Sequence, residues 1–317
     1  MSEFDLIKSY FTRATPGTLL GVGDDAALMQ VSEGRVLAVS SDMLVCGTHF
    51  FADTDPFLLG HKTLAVNLSD LAAMGATPRW ATLAIALPVA DENWLAKFSA
   101  GFFALAKAHG VDLVGGDTTR GPLNLCVTIF GEVAAAQALR RSGAQVGDEI
   151  WVSGCLGDAA LALAHLQGRV GLSAGDFAAC APALHQPQPR VALGLALCGI
   201  ASSAIDISDG LLADLGHILE ASHVGARVIF DELPVSESLR RLMDQPLGKQ
   251  CALSGGDDYE LCFTVPASRH DEVLLISEQL GLPLTCIGAV VAGQDCVVLD
   301  AADHSINFES AGYDHFR

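Results

Sequence analysis

The chain has 317 residues, half of them hydrophobic, and a formal net charge of −19. It therefore holds enough apolar material for two packed domains and lacks the basic surface that nucleic-acid binding needs. Its uncharged apolar runs, among them Trp80 to Ala90 with Pro88 inside it, fall short of the roughly 20 residues of a spanning helix, so no membrane span is expected.

At the N-terminus, MSEFDLIKSYFTR sets Phe4, Ile7 and Phe11 at helical spacing and reads as an amphipathic helix, not a signal peptide. A cytoplasmic protein is the expectation. Next comes GVGDDA at Gly21 to Ala26, which scans as the dinucleotide pattern G-x-G-x-x-A. No strand precedes it, however, and two carboxylates stand where backbone amides should receive a pyrophosphate.

A strand is predicted at about Arg35 to Ser41, a helix from Pro56 to about Met74 and an alternating strand at Trp80 to Leu87. A helix at Glu92 to His109, a short strand into Gly115 and a strand at Leu123 to Val133 follow. The polar stretch Ala138 to Asp148, ALRRSGAQVGD, reads as a connection and divides the chain into domains 1–138 and 139–317.

Beyond it come a strand at Glu149 to Val152, a helix near Asp158 to Leu166, a loop holding Pro182, Pro187 and Pro189, and a helix to about Cys198. After Ile205 the expected order is helix 210–222, strand 226–230, helix 236–243, strands near 251–254 and 259–265, helix 268–280, and strands at 283–291 and 295–299. Without a regular βαβ period this pattern favours an α+β fold over a doubly wound sheet. The nine cysteines contain no C-x-x-C pair, so neither a disulfide framework nor a zinc site is supported.

Of the 37 acidic residues, 25 are Asp, and they recur after a small residue at the end of an apolar run. The instances are Gly23-Asp24-Asp25, Ser40-Ser41-Asp42, Ser69-Asp70, Gly115-Gly116-Asp117, Asp206-Ile207-Ser208-Asp209-Gly210 and Gly255-Gly256-Asp257-Asp258. Singly, each reads as a turn or a cap, with Ser208 or Asp209 capping the helix that begins at Leu211. Together, short carboxylates at the ends of several strands are expected to converge on one space, and cations must then bridge them. Mg²⁺ suits that role, because it takes oxygen ligands and keeps positions open for phosphates. The offsets of Asp206-x-x-Asp209-Gly210 do not fit an EF-hand. G-x-x-x-x-G-K-[ST], H-R-D and H-E-x-x-H do not occur.

The stretches GVGDDAAL, SSDMLVCGTHF, KTLAVNLSDLAAMGA, LVGGDTTRGPL, RSGAQVGD, SAIDISDGLLADLGHI, LSGGDDYELCFTVP and GYDHF run in order from residue 21 to 316. In that order they resemble the thiamine-monophosphate kinase family, within the superfamily that includes aminoimidazole ribonucleotide synthetase. The resemblance implies a two-domain PurM-like α+β fold. Its N-terminal mixed sheet pairs across a homodimer and its C-terminal α+β domain completes the ATP and substrate site.

The implied reaction is ATP-dependent phosphorylation of thiamine monophosphate to thiamine diphosphate. The implied ligands of several Mg²⁺ ions are Asp25, Ser40, Ser41, Asp42, Asp70, Asp117, Asp206 and Asp209. Gly116, Asp117, Arg141 and Ser208 are the implied ATP contacts, and His49, Asp257 and Tyr313 the implied contacts to thiamine phosphate. The family often has Thr where Ser41 stands and Glu where Asp257 stands, so Asp258 shares the candidacy of Asp257.

A phosphate monoester has a second pKa of about 6 and is already ionised at neutral pH, so neither a general base nor a covalent nucleophile is expected. Direct in-line transfer follows, with metal ions supplying the charge that a chain poor in Lys and Arg does not. Among sister families, selenophosphate synthetases would show a reactive Cys near the start, yet none precedes Cys46. The hydrogenase-maturation members would end in Cys, whereas this chain ends His315-Phe316-Arg317. A non-catalytic acidic protein that stores cations or senses thiamine phosphates is the alternative from another class, and acceptor-dependent ATP turnover separates the two.

Overall fold

The computed structural model describes residues 2–306. The chain divides into two compact units between Ala136 and Gln137, with Ala72–Gly75 belonging to the second.

In the first unit, α1 (Glu3–Leu6) opens with a capping box between Ser2 and Asp5 and runs into a π-turn at Ile7–Phe11. The wider turn brings Leu6 and Phe11 inside and leaves Phe4 exposed, so the buried face differs from the one that α-helical spacing predicts. Then follow β1 (Val36–Val45), α2 (Pro56–Ala73), β2 (Thr77–Leu87), α3 (Glu92–His109), β3 (Asp112–Arg120) and β4 (Asn124–Val133).

The strand order is β1-β4-β2-β3. Strands β2 and β3 are parallel and α3 makes the crossover that parallel neighbours require, while β4 pairs antiparallel with β1 and β2. Local chemistry sets the limits of α3: Asp91 accepts from the Asn93 and Trp94 N–H groups, and Gly110 ends it in the left-handed region. Helix α2 is buried at every residue from Leu59 to Ser69, the polar His61, Lys62, Thr63, Asn67 and Ser69 included.

The second unit contains β5 (Asp148–Ser153), α4 (Asp158–Leu166), α5 (Ala174–His185), α6 (Val191–Leu197), β6 (Ser203–Asp206), α7 (Leu211–Ser222) and β7 (Gly225–Ile229). It continues with α8 (Glu237–Arg240), α9 (Pro246–Ser254), β8 (Leu261–Pro266), α10 (His270–Leu280), β9 (Leu284–Val291) and β10 (Cys296–Leu299). Its sheet has the order β10-β7-β9-β5-β8-β6. Ile150 and Val152 of the sheet pack with Leu161, Leu215, Ile218 and Leu253 of the helices in one core. Mixed sheets with irregularly interspersed helices make the fold α+β.

Several expectations are corrected. Ser40–Asp42 and Gly115–Asp117 do not end their strands; they lie mid-strand, because the β1–β4 ladder continues to Val45↔Asn124 and the β2–β3 ladder to Leu87↔Arg120. Asp70 sits in the last turn of α2. Asp206 does end its strand. Residues 251–254 form the last turn of a helix, not a strand, since Pro246 starts α9 where a missing N–H costs nothing. Pro182 lies inside α5, which Ser173 caps and which Cys180 and Leu184 hold against the core.

Candidate active site

Strand alternation sorts the acidic stretch of β1. Ala38, Ser40 and Asp42 are half-buried, while Val39, Ser41 and Met43 are exposed. Ser40 Oγ donates to Asp70 Oδ2 at 2.6 Å, and the Asp42 N–H donates to Asn67 Oδ1 at 3.1 Å. Asn67 and Asp70 are three residues apart in α2 and so share a face. The Ser41 hydroxyl is turned to the other face, 3.0 Å from Thr128 Oγ1 on β4. At the C-terminal turn of α2 the helix dipole disfavours the Asp70 charge by about 0.3–1 kcal/mol, so helix stability alone does not account for this carboxylate.

A bulge between Leu113 and Gly115 shifts the register of β3 against β2. Just beyond it, Gly116 has φ 149°, and a Cβ there would lie 1.8 Å from the Leu83 carbonyl oxygen. Only glycine fits, and the exposed Asp117 follows it. The exposed Asp24 and Asp25 lie on a turn closed by the Leu20↔Leu28 bridge, with Asp24 Oδ1 accepting the Asp25 N–H at 3.0 Å. After β1, His49 Nδ1 accepts the Val45 N–H at 2.9 Å. A neutral His49 so held carries its proton on Nε2.

In the second unit β6 ends at the buried Asp206, and the Ile207–Gly210 loop enters α7. Neither Ser208 nor Asp209 is the cap; the N-cap is Gly210, which has no side chain to give. Asp214 reaches back instead. Its Oδ2 accepts the N–H groups of Ser208 at 3.0 Å, Asp209 at 3.0 Å and Gly210 at 3.1 Å. Burial pushes the Asp214 pKa up to about 7, with the Asp209 charge adding to the effect and the three donors opposing it. The sequence reading missed Asp214, although a carboxylate in the first turn of D-G-L-L-A-D was the available signal.

Ser222, at the other end of α7, was also missed. Its hydroxyl accepts the Gly143 and Ala144 N–H groups at 3.1 Å each and donates to the Arg141 carbonyl at 3.2 Å. Nothing local announces a contact spanning about 80 residues. The exposed Arg141 and the half-buried Ser208 thus flank opposite ends of a 12-residue helix, about 18 Å long, and are not brought together.

Two non-glycine residues of the Gly255–Tyr259 turn are left-handed, Asp257 with φ 69° and Tyr259 with φ 49°, and Tyr259 Oη donates to Asp257 Oδ1 at 3.0 Å. Such conformations cost on the order of 1–3 kcal/mol each and gather at functional sites. Asp258 points inward, where both its oxygens accept the N–H of Gly157, the N-cap of α4, at 2.9 Å. Burial raises its pKa well above the ordinary value, and the Glu260, Asp158 and Asp257 charges raise it further. Next to it, Glu260 accepts from Arg190 and from the Ser153 hydroxyl. Tyr313 lies outside the described residues.

Among the described residues no three His, Cys, Asp or Glu side chains come together as a preformed metal cage. The donors that Ser40, Asp42, Asp70 and Asp117 carry are all oxygens. That set fits Mg²⁺, which binds through one or two carboxylates and completes its shell with phosphate oxygens and water.

The family model described as AIR synthase related protein, N-terminal domain, matches residues 23–133, and that of the C-terminal domain matches 145–300. The thiamine-monophosphate kinase of Salmonella typhimurium is 49% identical over 318 residues, covering 99% of this chain and 98% of its own. The chain belongs to the thiamine-monophosphate kinase family. A solved thiamine-monophosphate kinase from Stenotrophomonas maltophilia K279a is similar with a TM-score of 0.87 and 51% identity, over 94% of this chain and 96% of that one. AaThiL complexed with AMPPCP and TMP is similar with a TM-score of 0.79 and 28% identity, over 99% of this chain and 96% of that one. Among the described residues, no helix of this family member is long and apolar enough to cross a membrane.

Proposed function

We propose that the chain transfers the γ-phosphoryl group of ATP to thiamine monophosphate, giving thiamine diphosphate. The observation that carries this reading is whole-length kinship with thiamine-monophosphate kinases, one of which was solved with AMPPCP and TMP. Its side chains suit the chemistry. Asp25, Ser40, Asp42, Asp70 and Asp117 in the first unit, and Asp206 and Asp209 in the second, are the residues that would hold Mg²⁺. Bound Mg²⁺ supplies the positive charge that ATP and a phosphate acceptor need, where 18 Lys and Arg face 37 acids.

The remaining assignments concern positioning. Gly116 and Ser208 serve the nucleotide phosphates, while Arg141, at the far end of α7, serves another part of the nucleotide. His49 donates from Nε2 to the acceptor phosphate. Asp257, fixed by Tyr259, faces the cationic thiazolium, because Asp258 is committed to the N-terminus of α4. No side chain has to deprotonate the acceptor, which is ionised above a second pKa of about 6, so transfer is direct and in line. An ATP-consuming reaction of this kind fits the cytoplasm. Leu37, Val39 and Met43 are exposed along the edge strand β1. An apolar edge of this length needs covering, and we assign it to pairing with a second copy in a homodimer.

ATP consumption by the purified chain tests the reading. It should require thiamine monophosphate, yield thiamine diphosphate and fail with thiamine or other phosphorylated acceptors. Acceptor-independent ATP hydrolysis, or none, overturns the assignment, and label from ATP trapped on the protein overturns direct transfer.

A further inference from the structure

We propose that Asp214 is a positioning residue that holds the Ser208–Gly210 loop and the Gly255–Tyr259 turn as one block, so that a single carboxylate sets both the nucleotide and the acceptor side of the second unit. The inference rests on the reading that Ser208 and Asp209 serve ATP and that Asp257 serves thiamine monophosphate.

On one side of the loop, three consecutive N–H groups point at Asp214 Oδ2, and this carboxylate is only 3% exposed, so water does not replace it readily. On the other side the loop is laced to the turn by its backbone. The Asp257 N–H donates to the Ser208 carbonyl at 2.9 Å, the Tyr259 N–H to the Ile207 carbonyl at 2.8 Å, and the Ile207 N–H to the Glu260 carbonyl at 2.8 Å.

The two segments also touch without intervening side chains. A Cβ on Gly256 would lie 2.6 Å from the Ser208 carbonyl oxygen, and one on Gly210 would lie 2.6 Å from the Ser254 carbonyl carbon. Contact this close leaves no slack, so a displaced loop carries the turn with it. In the left-handed Asp257 and Tyr259 the turn has little freedom to compensate.

Steady-state kinetics on the full chain test the proposal. Asp214→Ala strands three backbone donors and should raise KM for ATP and for thiamine monophosphate by a common factor of about tenfold or more. Asp214→Asn keeps a carbonyl oxygen at the anchor and should return both KM values to within about threefold. Gly256→Ala, a lesion on the acceptor turn, should also raise KM for ATP.

Ser238→Ala removes a buried hydroxyl that donates to Asp176 elsewhere in the same unit, so it should lower thermal stability while leaving both KM values within about twofold. It thereby distinguishes positioning from general destabilisation. A folded Asp214→Ala that changes neither KM, or only one, overturns the proposal, as does Gly256→Ala with unchanged KM for ATP. Should Asp214→Ala fail to fold, Asp214→Asn and Gly256→Ala decide. An inactive wild type refutes the kinase assignment itself, whereas an active wild type with indifferent variants refutes only the shared block.

Discussion

Several acids of the two units contrast in how they are carried. In the first, Asp24, Asp25 and Asp117 are exposed and Asp42 and Asp70 half-exposed, mounted on strands, a turn and the unfavourable end of a helix. In the second, Asp206, Asp214, Asp258 and Glu260 are all buried, and the last three are held by backbone N–H groups, a hydroxyl or a guanidinium. Exposed carboxylates stay charged at little cost to folding, while buried ones are ionised only against desolvation. The first unit therefore separates function from stability, and the second binds them together.

The sharpest break in that comparison is expected at Asp70. Asp70→Asn removes a charge assigned to Mg²⁺ and should lower kcat/KM by about 10²-fold or more while the thermal midpoint holds or rises slightly, since the helix dipole then opposes nothing. A parallel loss of stability would erase the contrast. Next in size is Arg190→Ala, which leaves the Glu260 charge buried with no ion-pair partner and only the Ser153 hydroxyl as a side-chain donor. It should cost about 2–4 kcal/mol in chemical denaturation, below the fully buried limit because Arg190 is itself partly exposed, and Glu260→Gln in the same chain should recover part of it.

The smallest effect is one of pH. The folded-state pKa of Asp258 is raised, so as pH climbs past the ordinary value of 3.8 the unfolded chain ionises while the folded one resists, and stability falls until the raised value is passed. Asp258→Asn has no such titration and keeps an acceptor for Gly157, so its thermal midpoint should gain on wild type as pH rises above about 4, until the raised value is passed. Parallel curves would mean that Asp258 is not held neutral by its site.

Legibility in the sequence followed the range of the interaction. Helix α3 was readable to the residue because Asp91 and Gly110 mark its ends within the chain itself. The end of β1 was not: Ser40, Ser41 and Asp42 look like the close of an apolar run, and only the partner Cys126–Leu125–Asn124 carries the ladder past them. Residues 251–254 look like a strand until the helix that Pro246 begins is seen to continue through them. Of the site residues named from the family motifs, Ser40, Ser41, Asp42, Asp70, Gly116, Asp117 and Asp206 lie on strands or a helix and Asp25, His49, Arg141, Ser208, Asp209 and Asp257 on turns and loops. Asp214, inside the stretch SAIDISDGLLADLGHI, and Ser222, beyond it, hold such residues in place through contacts that only the packed chain makes.

By itself the amino-acid order determined the class of fold, the acidic character of the site and the family, because patterning, composition and motif spacing are properties of the chain. Tertiary structure alone decided which hydroxyl of Ser40 and Ser41 meets Asp70, which of Asp257 and Asp258 turns inward, and that one carboxylate gathers three amides of a loop. Those outcomes depend on strand register, on desolvation and on backbone contacts between distant segments, none of which is set until the chain packs.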